Sequence, residues 1–195
     1  MKSFPIHQVV KRCLDFGISL TLGLLLFPVI LVVAIAIKVT SKGPVLFTSN
    51  RVGRNNKLFN MPKFRSMKMN TPAVATHLLE NPDSHLSPIG GFLRKSSLDE
   101  IPQLWSVILG DMSLIGPRPA LYNQQELIDL RTEHGVHKIQ PGVTGWAQIN
   151  GRDELSIEEK VVFDIEYLER RSLRFDLKIL AGTILVVLMR NSVSH

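Results

Sequence analysis

Two adjacent carboxylates, Asp99 and Glu100, stand in the segment SSLDE at a predicted helix start, because Pro102 is tolerated only in the first turn of a helix. Two hypotheses for this pair are open. Ser97 and Glu100 have capping-box spacing, and acidic groups at this end complement the helix dipole, which favours a structural role. In the other hypothesis, the two carboxylates divide the roles of nucleophile and metal ligand beside a phosphate bound at the helix N-terminus.

Basic side chains suited to a phosphate ligand stand elsewhere in the chain. Arg118 lies between Pro117 and Pro119, which restrict the backbone on both sides and pre-orient a guanidinium, the group that best matches a phosphate. Lys63 and Arg65 lie on one face of a predicted extended segment. We expect Lys63 and Arg65 to reach a bound diphosphate, and Arg118 is a candidate for the same role.

The positive charge of the 195-residue chain is concentrated in one segment. No acidic residue occurs between Lys38 and Leu79, where eight basic residues contribute +8, so the rest of the chain contributes −2 to the net +6. Basic residues beside an apolar segment are attracted to anionic lipid headgroups, which accounts for those up to Arg54. The aromatic content is 7%, and no nucleic-acid-binding motif is present, so we expect no nucleic-acid partner.

The stretch from Phe16 to Ile37 carries no charge over twenty-two residues, enough for a helix of about 33 Å that could cross a bilayer core. Pro28 near its centre favours a kink. Lys11 and Lys38 are among the basic residues that flank it on both sides, and basic flanks mark the cytoplasmic side. A re-entrant hairpin and a kinked transmembrane helix both remain open, whereas a cleaved signal peptide is disfavoured by the length of the apolar run.

The rest of the sequence predicts an α+β fold, mainly helical, in which a small β-hairpin and several helices position these residues. We expect residues 1–42 to form an N-terminal segment with the apolar helix (about 16–37, with a break at Pro28), and residues 43–195 to form a cytoplasmic domain that carries the candidate catalytic residues. The single cysteine, Cys13, excludes an intramolecular disulfide and a cysteine metal cluster. The predicted elements are a hairpin of strands 45–48 and 57–59, a loop at 70–87 with a helical turn near 74–79, and helices near 98–109, 122–137, 157–170 and 175–189.

Five segments of the chain together carry a family resemblance: KRCLDFGISL with FPVI, GPVLFTSNRVGRNNKLFNMPKFRSM, LRKSSLDEIPQLWSVILGDMSLIGPRP, QPGVTGWAQINGR and FDLKIL. The sequence resembles the bacterial sugar transferases, monotopic phosphoglycosyl transferases that begin glycan assembly, in their small catalytic form. The resemblance implies transfer of a sugar-1-phosphate from a UDP-sugar to polyprenyl (undecaprenyl) phosphate, with release of UMP. This is the first membrane step of O-antigen, capsule, exopolysaccharide or glycoprotein assembly, and an N-acetylated amino sugar is the family-level expectation.

The resemblance also implies roles for individual residues. Asp99 is implied as the nucleophile that forms a covalent phosphosugar intermediate, and Glu100, with Asp99, as the ligand of Mg²⁺. Matches to basic and acidic positions of the family motifs imply substrate contacts for Lys63, Arg94, Arg118, Arg152, Asp164 and Asp176.

The resemblance finally favours the hairpin over the spanning helix, because the family's membrane helix is re-entrant and broken at a proline, here Pro28. Phe27 precedes it where the family pattern has serine, so a serine hydrogen bond at the break is absent. The implied location is the cytoplasmic face of the bacterial inner membrane, with membrane lipid and downstream glycosyltransferases as partners. The alternative hypothesis is a non-catalytic anchor that recruits anionic lipid or a partner glycosyltransferase through its basic face.

Overall fold

The computed structural model describes residues 4–71, 81–151 and 154–192. The chain is α+β and mainly helical, as predicted. The helices are α1 Phe4–Leu25, α2 Phe27–Thr40, α3 Gly90–Lys95, α4 Gln103–Leu109, α5 Gln125–Glu133, α6 Trp146–Ile149, α7 Ile157–Arg170 and α8 Leu173–Ser192. The strands are β1 Leu46–Val52, β2 Leu58–Phe64, β3 Ser113–Ile115 and β4 Gly142–Thr144. The predicted helical turn near 74–79 and the predicted site residue Arg152 lie outside the described residues.

The two N-terminal helices, α1 and α2, meet at Leu26 with a bend of 60°. Pro28 lies in the first turn of α2, where its missing amide hydrogen costs no helical hydrogen bond. The break therefore falls two residues before the proline. No single helix in the described part of the chain is long and apolar enough to cross a membrane. Taken together, the two helices of the bent pair have the length and composition of a broken span or of a re-entrant loop.

The predicted β-hairpin is present and longer than expected. β1 and β2 pair in antiparallel register from Leu46 opposite Phe64 to Val52 opposite Leu58. Phe64 is buried in a cluster with Val33, Ile37 and Leu93. Because side chains alternate along a strand, this anchoring of Phe64 turns the preceding Lys63 to the opposite face.

The helix predicted from residue 98 is divided in two. Leu98–Glu100 is a single 3₁₀ turn, and α4 follows from Gln103 to its end at Gly110, whose φ of 94° forms a left-handed cap. Ser97 has a φ of 56° and makes no side-chain cap hydrogen bond. The capping-box hypothesis for Ser97 and Glu100 is therefore wrong, because the left-handed backbone at Ser97 differs from the extended backbone of an N-cap residue.

A second, parallel strand pair, which the sequence analysis did not predict, joins β3 to β4. Ser113 pairs with Gly142, and Ile115 pairs with Thr144. A Cβ atom added to Gly142 would lie 2.1 Å from the amide nitrogen of Gly116, so only glycine permits this close approach. The pairing fixes the chain immediately before the turn that carries Arg118.

Three charged residues of α1 attach it to the rest of the fold. Lys11 forms an ion pair of 2.8 Å with Asp176 of α8. Arg12 donates to the carbonyl oxygens of Val107 and Ile108, at the C-terminal end of α4. Asp15 accepts a hydrogen bond of 3.2 Å from the amide of Leu114, in β3. The base of the bent helix pair is thereby held against α4, α8 and the parallel strand pair.

Candidate active site

The two adjacent carboxylates lie where the hairpin, the 3₁₀ turn and the Pro117–Pro119 turn meet. Asp99 is buried, with 7% of its surface exposed. Glu100 Oε1 accepts hydrogen bonds from Lys63 Nζ at 2.9 Å and from a terminal nitrogen of Arg118 at 2.8 Å. The structure thus brings together four predicted site residues, Lys63, Asp99, Glu100 and Arg118. Arg118 is 18 residues from Glu100 in sequence and 55 residues from Lys63.

The charges at this site perturb one another because water is largely excluded. Burial raises the pKa of the Asp99 carboxyl, and the positive charge of Lys63 is the largest effect in the opposite direction. Burial also lowers the pKa of the Lys63 ammonium, as does the neighbouring charge of Arg118, against the opposing effect of Glu100. A buried carboxylate beside two cations can approach an anionic phosphate, because the cations neutralise the charge that would otherwise repel it.

The pKa shift of Asp99 predicts how its replacement changes stability with pH. Because the folded state raises the pKa of Asp99, it binds the proton more tightly than the unfolded state. The ionised group therefore opposes folding near pH 7, and this penalty disappears as the pH falls through the folded pKa towards the unfolded value of about 4. We expect Asp99→Asn to have a higher Tm than the wild type at pH 7, with the difference shrinking as the pH falls.

Scanning fluorimetry of both proteins between pH 4 and pH 7, in the presence of a metal chelator, measures this difference in Tm. A gap that stayed constant over the range, or a lower Tm for the variant at pH 7, would contradict the raised pKa.

The turn Pro117–Pro119 is fixed through its backbone carbonyl groups. The carbonyl of Pro117 accepts from the amide of Gly142 at 2.8 Å. The carbonyl of Arg118 accepts from Arg131 at 2.8 Å, and that of Pro119 accepts from Arg51 at 3.1 Å. These donors from distant parts of the chain fix the backbone of the turn, and the side chain of Arg118 is thereby positioned next to Glu100.

Arg131 in turn is held by Asp164 of α7. Both Nε and a terminal nitrogen of Arg131 donate to Asp164 Oδ2, at 2.9 and 2.6 Å, and Asp164 is 1% exposed. Asp164 therefore acts on Arg118 through Arg131 in this structure. Arg131 was not predicted as a site residue, because no sequence motif marks it and its importance depends on a carboxylate 33 residues away.

The other predicted site residues have different surroundings. Arg94 Nε donates to Ser66 Oγ at 3.1 Å. The positive charge of Arg94 partly opposes the rise in the pKa of Asp99, so Arg94 belongs to the same site. Arg65 is buried and donates to Ser41, just after the end of α2. Asp176 accepts from Lys11 and from the hydroxyl of Tyr167, at 2.8 and 2.9 Å. The predicted substrate contacts of all these site residues, Lys63, Arg65, Arg94, Arg118, Asp164 and Asp176, remain predictions.

The donor set at the site suits a magnesium ion that shares its coordination with a substrate. Among the described residues, no group of three or more His, Cys, Asp or Glu side chains is placed to hold a metal. Asp99 and Glu100 offer two adjacent carboxylates. Mg²⁺ is commonly bound through one or two carboxylates together with substrate phosphates and water, so these residues fit that ion.

Comparison with known proteins identifies the family. The family model described as bacterial sugar transferase matches residues 6–190. This chain belongs to the bacterial sugar transferase family. The resemblance seen in the sequence motifs is thereby confirmed.

Characterised relatives of this bacterial sugar transferase are larger proteins. It is 41% identical to the UDP-glucose:undecaprenyl-phosphate glucose-1-phosphate transferase of Escherichia coli K12, over 92% of this chain and 40% of that protein. It is 43% identical to the undecaprenyl-phosphate glucose phosphotransferase of Komagataeibacter xylinus, over 89% of this chain and 35% of that protein. The chain thus spans about two fifths of the length of these relatives.

A relative of similar length also exists. The sugar transferase EpsL of Bacillus subtilis, named as uncharacterised, is 37% identical over 96% of this chain and 92% of that protein.

Proposed function

We propose that this bacterial sugar transferase is a membrane-embedded phosphoglycosyl transferase that moves sugar-1-phosphate from a UDP-sugar to undecaprenyl phosphate and releases UMP. The observation that carries the proposal is a buried carboxylate, Asp99, beside Glu100 and the cations Lys63 and Arg118. The names of the relatives in Escherichia coli and Komagataeibacter xylinus support the acceptor. A relative in Aeromonas hydrophila is named as an N-acetylgalactosaminephosphotransferase, which is compatible with an N-acetylated amino sugar as donor.

In the first step, an Asp99 carboxylate oxygen attacks the sugar-bearing phosphorus of the UDP-sugar. A phosphorus–oxygen bond forms to Asp99, and the bond from that phosphorus to the bridging oxygen breaks, so UMP leaves with the electron pair. Asp99 reacts as the anion, so no proton has to be removed from it. Lys63 and Arg118 neutralise the diphosphate and hold it for in-line attack.

In the second step, a phosphate oxygen of undecaprenyl phosphate attacks the phosphorus of the acyl phosphate. The new bond makes the diphosphate of the lipid-linked sugar, and the bond to Asp99 breaks to restore the carboxylate. Both substrates thus use the same cations in turn. Glu100 keeps Lys63 and Arg118 in place between the two steps, because it accepts from both at a single oxygen.

When bound, Mg²⁺ would neutralise charge on the diphosphate and on the departing UMP. Glu100 and Asp99 are the residues that would hold it, together with phosphate oxygens of the donor.

The bent helix pair supports a re-entrant placement in one leaflet. The charge-free arms before and after Leu26 are each about 15 Å long at 1.5 Å per residue. With a bend of 60°, arms placed symmetrically rise at about 30° to the membrane plane and reach a depth of about 8 Å, well within one leaflet. The same arms placed across the bilayer would cover only about 26 Å of a core of about 30 Å.

Exposure and flanking charge agree with the re-entrant placement. Leu24, Leu25 and Phe27, around the bend, are 70%, 71% and 61% exposed, as expected of side chains in contact with lipid. Basic residues flank both ends of the pair, and a hairpin leaves both ends on the cytoplasmic side.

We expect cysteine labelling to place both ends of the pair on the same side of the membrane. In a background without Cys13, Val9→Cys and Lys57→Cys should both react with a membrane-impermeant maleimide in inverted vesicles, and neither should react in intact spheroplasts. Leu25→Cys, at the bend, serves as the matched control and should stay unreactive in both. Reaction of Val9→Cys and Lys57→Cys from opposite sides would refute the hairpin.

We expect UMP release from a panel of UDP-sugars to identify the donor and to test the proposed function. Release beyond one UMP per enzyme should require undecaprenyl phosphate, which frees Asp99 for the next turnover, and all release should require Mg²⁺ for charge neutralisation. Chromatographic assay of UMP, with the acceptor omitted as control, provides the measurement. If no donor gives acceptor-dependent UMP, the non-catalytic anchor would be favoured.

A further inference from the structure

A cavity of about 430 Å³ lies at the base of α1, apart from the Asp99 site. Arg12 lines it and bonds the carbonyl groups at the C-terminal end of α4, whereas Asp99 precedes the N-terminal end of that helix. The seven residues of α4 separate these two ends by about 10 Å. The cavity therefore is not the place where phosphate is transferred.

The lining of this cavity is strongly basic. It contains no Asp or Glu and five cationic side chains: Lys11, Arg12, Arg54, Lys138 and Arg171. Asp176 neutralises Lys11, and backbone carbonyls engage Arg12. Within the described ranges, Arg54, Lys138 and Arg171 form no ion pair. Three uncompensated positive charges around one concavity attract an anion that carries a phosphate group.

The position of the cavity along α1 points to a lipid as the source of that phosphate. The lining residues of α1 run from Gln8 to Cys13, which is about 4 to 12 Å before the charge-free stretch begins at Phe16. The headgroup layer on each side of a bilayer is about 5 to 8 Å thick. With the re-entrant placement proposed above, the cavity lies at headgroup depth.

An apolar stripe on α1 leads from the cavity towards the bend. Val9 and Cys13 line the cavity, and residues at helical spacing from them continue the same face. Val9, Phe16, Leu20 and Leu24 on this face are 61%, 43%, 42% and 70% exposed. An acyl chain attached to a bound headgroup can follow this stripe, whereas a free phosphate gains nothing from it.

We propose that this cavity binds the phosphate headgroup of an anionic phospholipid, with an acyl chain along the exposed face of α1. The site is separate from the proposed acceptor site at Asp99, and the proposal rests on the membrane placement put forward with the function. A bound headgroup would link α1 to the tip of the hairpin through Arg54, to the segment after α5 through Lys138, and to the turn between α7 and α8 through Arg171.

The only cysteine of the chain provides a direct test, because Cys13 lines the cavity and is exposed. The full chain in non-ionic detergent is alkylated with the neutral reagent N-ethylmaleimide, and the rate is followed by mass spectrometry. A short-chain phosphatidylglycerol at ten times its dissociation constant should slow alkylation about 10-fold, since only about one site in eleven is then empty. The matching phosphatidylcholine, at the same concentration, should slow it less than twofold.

Two further arms separate the lipid from a soluble phosphate. Inorganic phosphate and glycerol phosphate are added at the concentration used for phosphatidylglycerol, and neither should protect Cys13. Equal protection by either would overturn the assignment to a lipid, and equal protection by phosphatidylcholine would overturn the role of the anionic headgroup.

A variant with Arg54→Gln, Lys138→Gln and Arg171→Gln should lose the protection by phosphatidylglycerol. The matched control removes three exposed cations outside the cavity, by Lys57→Gln, Lys95→Gln and Arg174→Gln, and should keep it. Protection that persists in the cavity variant would refute the site.

Failure of this inference is distinguishable from failure of the proposed function. UMP release by the cavity variant, in detergent without anionic lipid, should stay within twofold of the wild type. Active enzyme whose Cys13 is not protected would refute the lipid site alone. Cys13 protection in a chain that releases no UMP would leave the lipid site supported and refute the transferase.

Discussion

Asp99→Asn is expected to abolish turnover, with a loss of about 10⁴-fold or more in kcat, because removal of a nucleophile eliminates the covalent route. Asn has nearly the shape of Asp but cannot attack phosphorus as an anion. Incubation with a UDP-sugar radiolabelled in the sugar should leave the variant unlabelled, whereas the wild type should carry label in the absence of undecaprenyl phosphate. The measurements are UMP release and retention of label on denatured protein.

The control for Asp99→Asn is Asp111→Asn, which changes an exposed carboxylate beyond the far end of α4 and should keep both activities. A higher Tm of Asp99→Asn at pH 7, measured as described above, would exclude unfolding as the reason for lost activity. Label retained on Asp99→Asn would refute Asp99 as the nucleophile. Asp99→Asn is thus expected to be less active but more stable than the wild type, which is typical of a residue that function keeps in an unfavourable environment.

Asp164→Asn is expected to destabilise the protein by about 3–5 kcal/mol, because it leaves Arg131 as an uncompensated charge in a largely buried pair. For a chain of this size, that corresponds to a fall in Tm of roughly 6–20 °C. Asp129→Asn is the matched control: Asp129 is exposed and accepts only from Gln125 in the described structure, so its replacement should change stability by less than about 0.5 kcal/mol. Thermal unfolding in detergent provides the measurement.

The same ion pair is expected to affect catalysis through the position of Arg118. A double variant, Arg131→Met with Asp164→Leu, removes both charges and should recover most of the lost stability. It should still lose about 10²-fold in kcat, because the carbonyl of Arg118 no longer has its donor and the turn can shift. Recovery of both stability and kcat would show that the pair contributes only to stability, and would contradict a positioning role.

The local sequence was sufficient to predict several elements, because the residues that start or end each of them lie within a few positions of one another. Gly110 ends α4 as predicted, since glycine favours the left-handed cap. α7 has the predicted bounds of 157–170 because apolar spacing and the capping box of Ser156 with Glu159 are both local. Pro28 marked the break in the apolar segment to within two residues.

The short elements near the site escaped prediction. β3 and β4 have three residues each, too few for a periodic pattern, and their pairing depends on contact between glycines 26 residues apart in sequence, at Gly116 and Gly142. The role of Ser97 was misjudged because capping-box spacing does not reveal the positive φ that this residue has in the structure.

The sequence by itself determined the family, the concentration of positive charge, the apolar arms and the candidate carboxylates. Residue types and short spacings carry that information. Only the tertiary structure decided which cations face the carboxylates: Lys63 and Arg118 reach Glu100, whereas Arg65, two residues from Lys63, is turned to the end of α2. The physical reason is that burial of Phe64 sets the face that Lys63 presents on β2. β2 ends at Phe64, so strand alternation does not direct Arg65, which donates to Ser41 instead.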